Sequence, residues 1–101
     1  MTVTGPNAYL AEGLNRAANL IETHGWNQHG GPGTDSLCID NALGRAFGME
    51  GFGSALDAMK QYLGLTDALF TWNDAPERTQ DDVVGALRAV AQRLTPKLVR
   101  V

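Results

Sequence analysis

Apolar side chains return at three- and four-residue steps along most of this chain, and glycine- or proline-rich stretches interrupt them. In "NAYLAEGLNRAANLIETHG", Leu10, Leu14, Ala17, Ala18 and Ile21 share one helical face. Asn7 follows Pro6 and can cap the start, while Gly25 sits where a left-handed residue ends a helix. Gly13 weakens the interior by about 1 kcal/mol relative to alanine, so packing must hold the helix there. A second helix is predicted over "SLCIDNALGRAF", capped by Thr34, Asp35 or Ser36 and closed by Gly48. Ile39, Ala42, Leu43, Ala46 and Phe47 fall on one side of it, Asp40, Asn41 and Arg45 elsewhere, and Cys38 on the rim of the apolar stripe.

"MEGFG" reads as a loop, after which Ser54 begins a short helix, "ALDAMKQYL", with Leu56, Met59 and Leu63 inward and Gly64 as its stop. The run "LTDALFTW" fits either one helical turn or a short extended segment near residues 66–72, because apolar runs of this length do not discriminate. "NDAPERTQDD" reads as a loop followed by a cap, in which Thr79 and Asp82 approximate a capping box. The last helix spans 80–94: Val83, Leu87, Val90 and Leu94 form a stripe flanked by Val84 and Ala91. Asp81 and Asp82 lie in its first turn and Arg88 and Arg93 toward its end, both favourable to the helix dipole. Thr95-Pro96 ends it, leaving residues 95–101 as a loose tail or a short strand. The expectation is a single all-α domain over 1–101. It is a compact bundle of four to five helices with one long glycine-rich loop, "NQHGGPGTD".

Composition narrows the function classes. With 101 residues, 44% hydrophobic and 19% charged, the chain can bury one ordinary core. The net charge is -3 and the eight Lys and Arg residues are scattered, only Arg93, Lys97 and Arg100 gathering; no basic stripe suited to nucleic acid is present. A single cysteine forbids an internal disulfide, and "MTVTGPNAYLAEG" lacks the regions of a signal peptide. No apolar run approaches the about 20 residues that span a bilayer, so a soluble cytoplasmic protein without membrane insertion is expected.

Reactive residue types concentrate in "HGWNQHGGPGTDSLCIDNAL", residues 24–43, which holds both histidines and the only cysteine. In a nucleophile reading Cys38 attacks, His24 or His29 activates it, Asp35, Asn27 or Asn41 orients the imidazole, and Gln28 or amides near Gly30 and Gly31 bind an oxyanion. In the structural reading Cys38 is a small hydrophobe beside Ala42 and His24 a cation at a helix C-terminus; the absence of any local cysteine-hydrolase signature favours this one. A metal site would draw on His24, His29, Cys38 and Asp35 or Asp40, but the spacing is not diagnostic, and neither metal nor other cofactor is expected. "GGPG" lacks the lysine and hydroxyl residue of a phosphate loop.

"TWNDAPERT" also has two readings. Trp72 plugs the core while Asn73 and Asp74 bond backbone amides and Thr79 caps, or Trp72, Asp74 and Arg78 form an exposed contact patch. Trp26 either folds back onto the first helix or, with Gln28, joins a contact surface. Asp81-Asp82 is a helix N-terminus, not a general acid and base.

"LIETHGWNQ", a single cysteine a few residues before "AL", and "WNDAPERTQDDVVGALRAVA" together resemble an uncharacterised family, a domain of unknown function of actinobacteria and their bacteriophages. The likeness covers residues 10–94. Its members typically carry a Gly-Trp-x-Gln turn, a central helix with the cysteine, a Trp-Asn-Asp turn and a Thr-x-x-x-Val helix start. Many have a cysteine where this chain has Asn27, so a mechanism requiring a cysteine pair cannot run here. The resemblance implies a small cytoplasmic, phage-encoded protein and supplies no activity. The expected function is protein–protein interaction with a host or cellular factor, a homodimer being compatible with so short a chain. The alternative is a cysteine-dependent hydrolase or transferase using Cys38 and His24.

Overall fold

The computed structural model describes residues 6–28 and 36–95, which form four helices: α1 (Pro6–His24), α2 (Ile39–Leu63), α3 (Leu69–Asn73) and α4 (Gln80–Leu94). The all-α bundle predicted from the apolar periodicity is the fold observed. α1 packs against both α2 and α4, and its stripe of Leu14, Ala17, Ala18 and Ile21 is fully buried between them. The helix starts at Pro6, so Asn7 lies inside its first turn and does not cap it; the fixed φ of proline already suits that position. It stops at Gly25 (φ 91), whose amide donates to the Ile21 carbonyl.

The cap of α2 differs from expectation. Cys38, not an upstream hydroxyl or carboxylate, is the N-cap, and its sulfur accepts the Asn41 amide at 3.4 Å. The cause is long-range pairing. Leu37 donates to the Gly25 carbonyl (2.9 Å) and Asn27 to the Leu37 carbonyl (3.1 Å), which keeps the backbone extended until Cys38 and leaves Ser36 two residues short of the helix cap. Thr34 and Asp35 lie outside the described residues.

Gly48 breaks α2 as predicted, with φ 66 and ψ -163, a backbone conformation essentially confined to glycine. The expected loop over "MEGFG" is not formed. The helix resumes at once with Met49 and runs to Leu63, because Gly51 serves packing. A Cβ on Gly51 would come within 2.8 Å of the Phe47 ring and 2.9 Å of Tyr9, and one on Gly13 would overlap the Phe47 ring outright. Phe47 therefore sits in a notch between Gly13 and Gly51, with Tyr9 meeting it edge-on at 5.6 Å between centroids.

Between residues 66 and 72 the structure resolves the ambiguity toward helix: α3 places Leu69 and Asn73 one turn apart, both buried. The capping box of α4 is complete, with the Asp82 amide donating to Thr79 Oγ1 (3.2 Å) and the Thr79 amide to Asp82 Oδ2 (3.1 Å). Val83, Leu87, Val90 and Ala91 face the core. Arg88 reaches from α4 to α1, donating to Asn15, Asn19 and Glu22; being partly exposed, this clamp contributes less than about 1 kcal/mol. α4 ends at Leu94 with Thr95 as its C-cap, and the tail expected beyond it lies outside the described residues from 96 onward.

Candidate functional site

The two motifs singled out in the sequence meet at one buried asparagine. Asn73, at the end of α3, is 0% exposed and uses its whole side-chain amide. Its Oδ1 accepts from Trp26 Nε1 (2.7 Å) and from the Ile39 amide (3.0 Å), and its Nδ2 donates to the Asn27 carbonyl (3.1 Å) and to Asp74 Oδ1 (2.9 Å). Gln28 Nε2 completes the seam by donating to the carbonyls of Asn73 (3.2 Å) and Ala75 (2.7 Å). One side chain thus ties the turn after α1, the start of α2 and the turn after α3 together. A buried amide satisfied at all four valences rigidifies its surroundings rather than waiting for a ligand. Only its position on the inward face of a short helix, one turn from Leu69, hinted at this in the sequence.

These bonds assign several expected site residues. Trp26 is half-buried and packs against the core, with its indole N–H held by Asn73 of α3 and its backbone bridged to Leu37. Gln28 has its amide directed at two backbone carbonyls. Asn27 directs its amide to the carbonyl (2.7 Å) and hydroxyl (3.0 Å) of Ser36, not to an imidazole. Trp72 is half-buried at the core margin under the Arg78 guanidinium, which lies 4.1 Å from the ring centroid and donates through Nε to the Trp72 carbonyl at 3.0 Å.

Cys38 is 8% exposed, with its sulfur occupied by the Asn41 amide. His24 ends α1 on an exposed surface, and among the described residues no hydrogen bond joins it to Cys38. His29, Asp35, Gly30 and Gly31 lie outside the described residues. Among the described residues no group of three or more His, Cys, Asp or Glu side chains is arranged to hold a metal ion.

A different acid stands out in the folded chain: Asp40, in the first turn of α2. Burial raises its carboxyl above the usual aspartate value, and the neighbouring Asp74 charge raises it further. Its Oδ1 is buried without a hydrogen-bond partner among the described residues. Asp40 also lines an open groove of about 510 Å³ along the Gly48 break, together with Asn41, Gly44, Gly48, Met49 and Phe52. Met49 projects from it with 98% of its surface exposed. Nothing local in the sequence announces this groove, because it exists only where the helix breaks and resumes.

Fold and site define a small all-α protein in which an asparagine-centred polar seam joins the turn after α1, the start of α2 and the turn after α3, with an acidic, methionine-edged groove beside it. The chain belongs to the Family of unknown function (DUF6197), which it matches over residues 6–93. Comparison with curated proteins and with solved structures returned no match. No described helix is long and apolar enough to cross a membrane.

Proposed function

We propose that the protein is an interaction module that binds another protein through the groove at the Gly48 break. The observation that carries this reading is Met49, 98% exposed at the rim of a groove whose one charged lining residue, among the described residues, is the half-buried Asp40. A fully exposed methionine beside partly buried Phe52 is an adaptable apolar contact. The charge of Asp74 beside Asp40 makes a cation the complementary group. The occupant is therefore a partner segment that sets a bulky apolar side chain against Met49 and Phe52 and a lysine or arginine against Asp40. Of the contact residues expected from sequence, Asp74 adjoins this surface; Trp72 and Arg78 stack on each other, and Trp26 and Gln28 hold the seam. The resemblance to actinobacterial and phage proteins supports a host or cellular protein, met in the cytoplasm, as the partner.

Selection from a displayed random-peptide library tests the proposal. The expected result is enrichment of sequences with a basic residue close to a bulky apolar one, bound by the wild type and lost in Met49→Glu and Asp40→Lys, each checked for helical content by circular dichroism. Peptides that bind both folded variants as well as the wild type refute it. If the groove takes a second copy of the chain, sedimentation shows a dimer that Met49→Glu dissociates, and the heterologous-partner reading falls.

A further inference from the structure

A second groove, of about 330 Å³, runs between α1 and the first half of α2, and its lining has the opposite electrical character. Arg16, Asn19, Thr23 and His24 line it from one face of α1, and Arg45 from α2, over a floor that includes Leu20 and Ala46. Among the described residues none that lines it is acidic, although the chain as a whole carries a net charge of -3. We infer that this groove is a binding site for a small phosphate monoester.

Donor supply selects the ligand class. Arg16 spends one Nη2 bond on the Ala46 carbonyl (3.2 Å), two residues before the break at Gly48. A guanidinium has five N–H donors, so that bond anchors the group over the groove and leaves other donors for a ligand. The side chains of Arg45 and His24 have no hydrogen bond or ion pair among the described residues. The Asn19 carbonyl accepts from Arg88 (2.8 Å), which leaves its amide hydrogens as the free end, and the Thr23 hydroxyl adds a further donor. Glu22, next to this face, is drawn to α4 by Arg88. What remains is a donor-rich, acceptor-poor cleft. It suits a ligand group that only accepts, carries more than one negative charge and offers several oxygens, and a phosphate monoester has all three properties. The Leu20 and Ala46 floor suits a compact organic body beside the phosphate, and the volume is in the range of small-molecule sites. The basic residues form one isolated cluster rather than a stripe, which speaks against a nucleic-acid track.

The test is a titration of ¹⁵N-labelled protein at low ionic strength with inorganic phosphate and, separately, with a nucleoside monophosphate, followed by amide and arginine Nε–H shifts. Saturable shifts confined to residues 16–24 and 45–46 are expected, larger with the nucleoside monophosphate if the apolar floor takes part. Arg45→Ala should weaken binding at least about tenfold, the scale of one lost charge-assisted bond. Arg93→Ala, which removes an equal charge from a site on α4 beside Tyr62, should leave binding unchanged. Shifts that stay linear to about 10 mM, about tenfold above a millimolar Kd, or equal weakening by the two substitutions would overturn the inference.

Discussion

Replacing Asn73 by alanine tests the asparagine-centred seam most directly. The substitution deletes four hydrogen bonds at a fully buried position and strands the Trp26 indole N–H, the Ile39 amide and the Asn27 carbonyl. At about 1 kcal/mol net per bond the loss is about 4 kcal/mol, and more where a stranded group gains no water. That is a large share of the about 5–15 kcal/mol that holds a domain of this size, and at about 4–8 °C per kcal/mol it lowers Tm by more than about 15 °C. Urea unfolding followed by circular dichroism and by tryptophan fluorescence gives the free energy, with coincidence of the two signals checking two-state behaviour. Trp26→Phe removes one donor and leaves Asn73 bonded to Ile39, so it should cost about 1 kcal/mol, and the double variant should cost little more than Asn73→Ala alone. Asn73→Asp keeps both accepted bonds but loses the two donations and puts a carboxylate against Asp74. It should be destabilised at pH 7 and recover as the pH falls. An Asn73→Ala protein within about 1 kcal/mol of wild type, or strict additivity with Trp26→Phe, would refute the account.

Three further outcomes rest on the same geometry. Asp40 binds its proton more tightly in the folded state than at its unfolded value of 3.8, so its ionised form costs stability at neutral pH. That cost fades as the pH drops through the raised folded pKa toward 3.8. Asp40→Asn should therefore be the more stable protein in urea at pH 7, with the difference closing as the pH nears that unfolded value; a variant no more stable at pH 7 contradicts the burial of this charge. Gly13→Ala should destabilise by about 1–3 kcal/mol despite alanine's better helix propensity, because the new methyl overlaps the Phe47 ring, and trimming Phe47 to leucine in the same chain should recover part of the loss in thermal melts. Cys38, buried and occupied as a cap, should alkylate with iodoacetamide only at the rate of unfolding; rapid labelling of native protein that rises through a thiol titration would restore the nucleophile reading.

The sequence alone determined what is local. The stripes of α1 and α4, the stop at Gly25 and the Thr79–Asp82 box each depend on residues within a turn or two of one another, and their chemistry is the same in the isolated segment as in the fold. Tertiary structure decided the rest. Cys38 becomes a cap because Leu37 is held extended against residues 25–27. "MEGFG" is helical because Gly51, like Gly13, gives Phe47 room, and packing outweighs the loop signal of its glycines. The seam is longer in range still: Asn73 bonds Trp26 and Ile39 across 47 and 34 residues. Periodicity reports which face of a helix is buried, but it carries no information on which distant polar group that face will meet. The groove beside α1 is walled by two helices, and the groove at Gly48 by the two arms of one broken helix. The acid at Asp40, the guanidinium groups of Arg16 and Arg45 and the imidazole of His24 therefore read as scattered polar surface until the chain is folded.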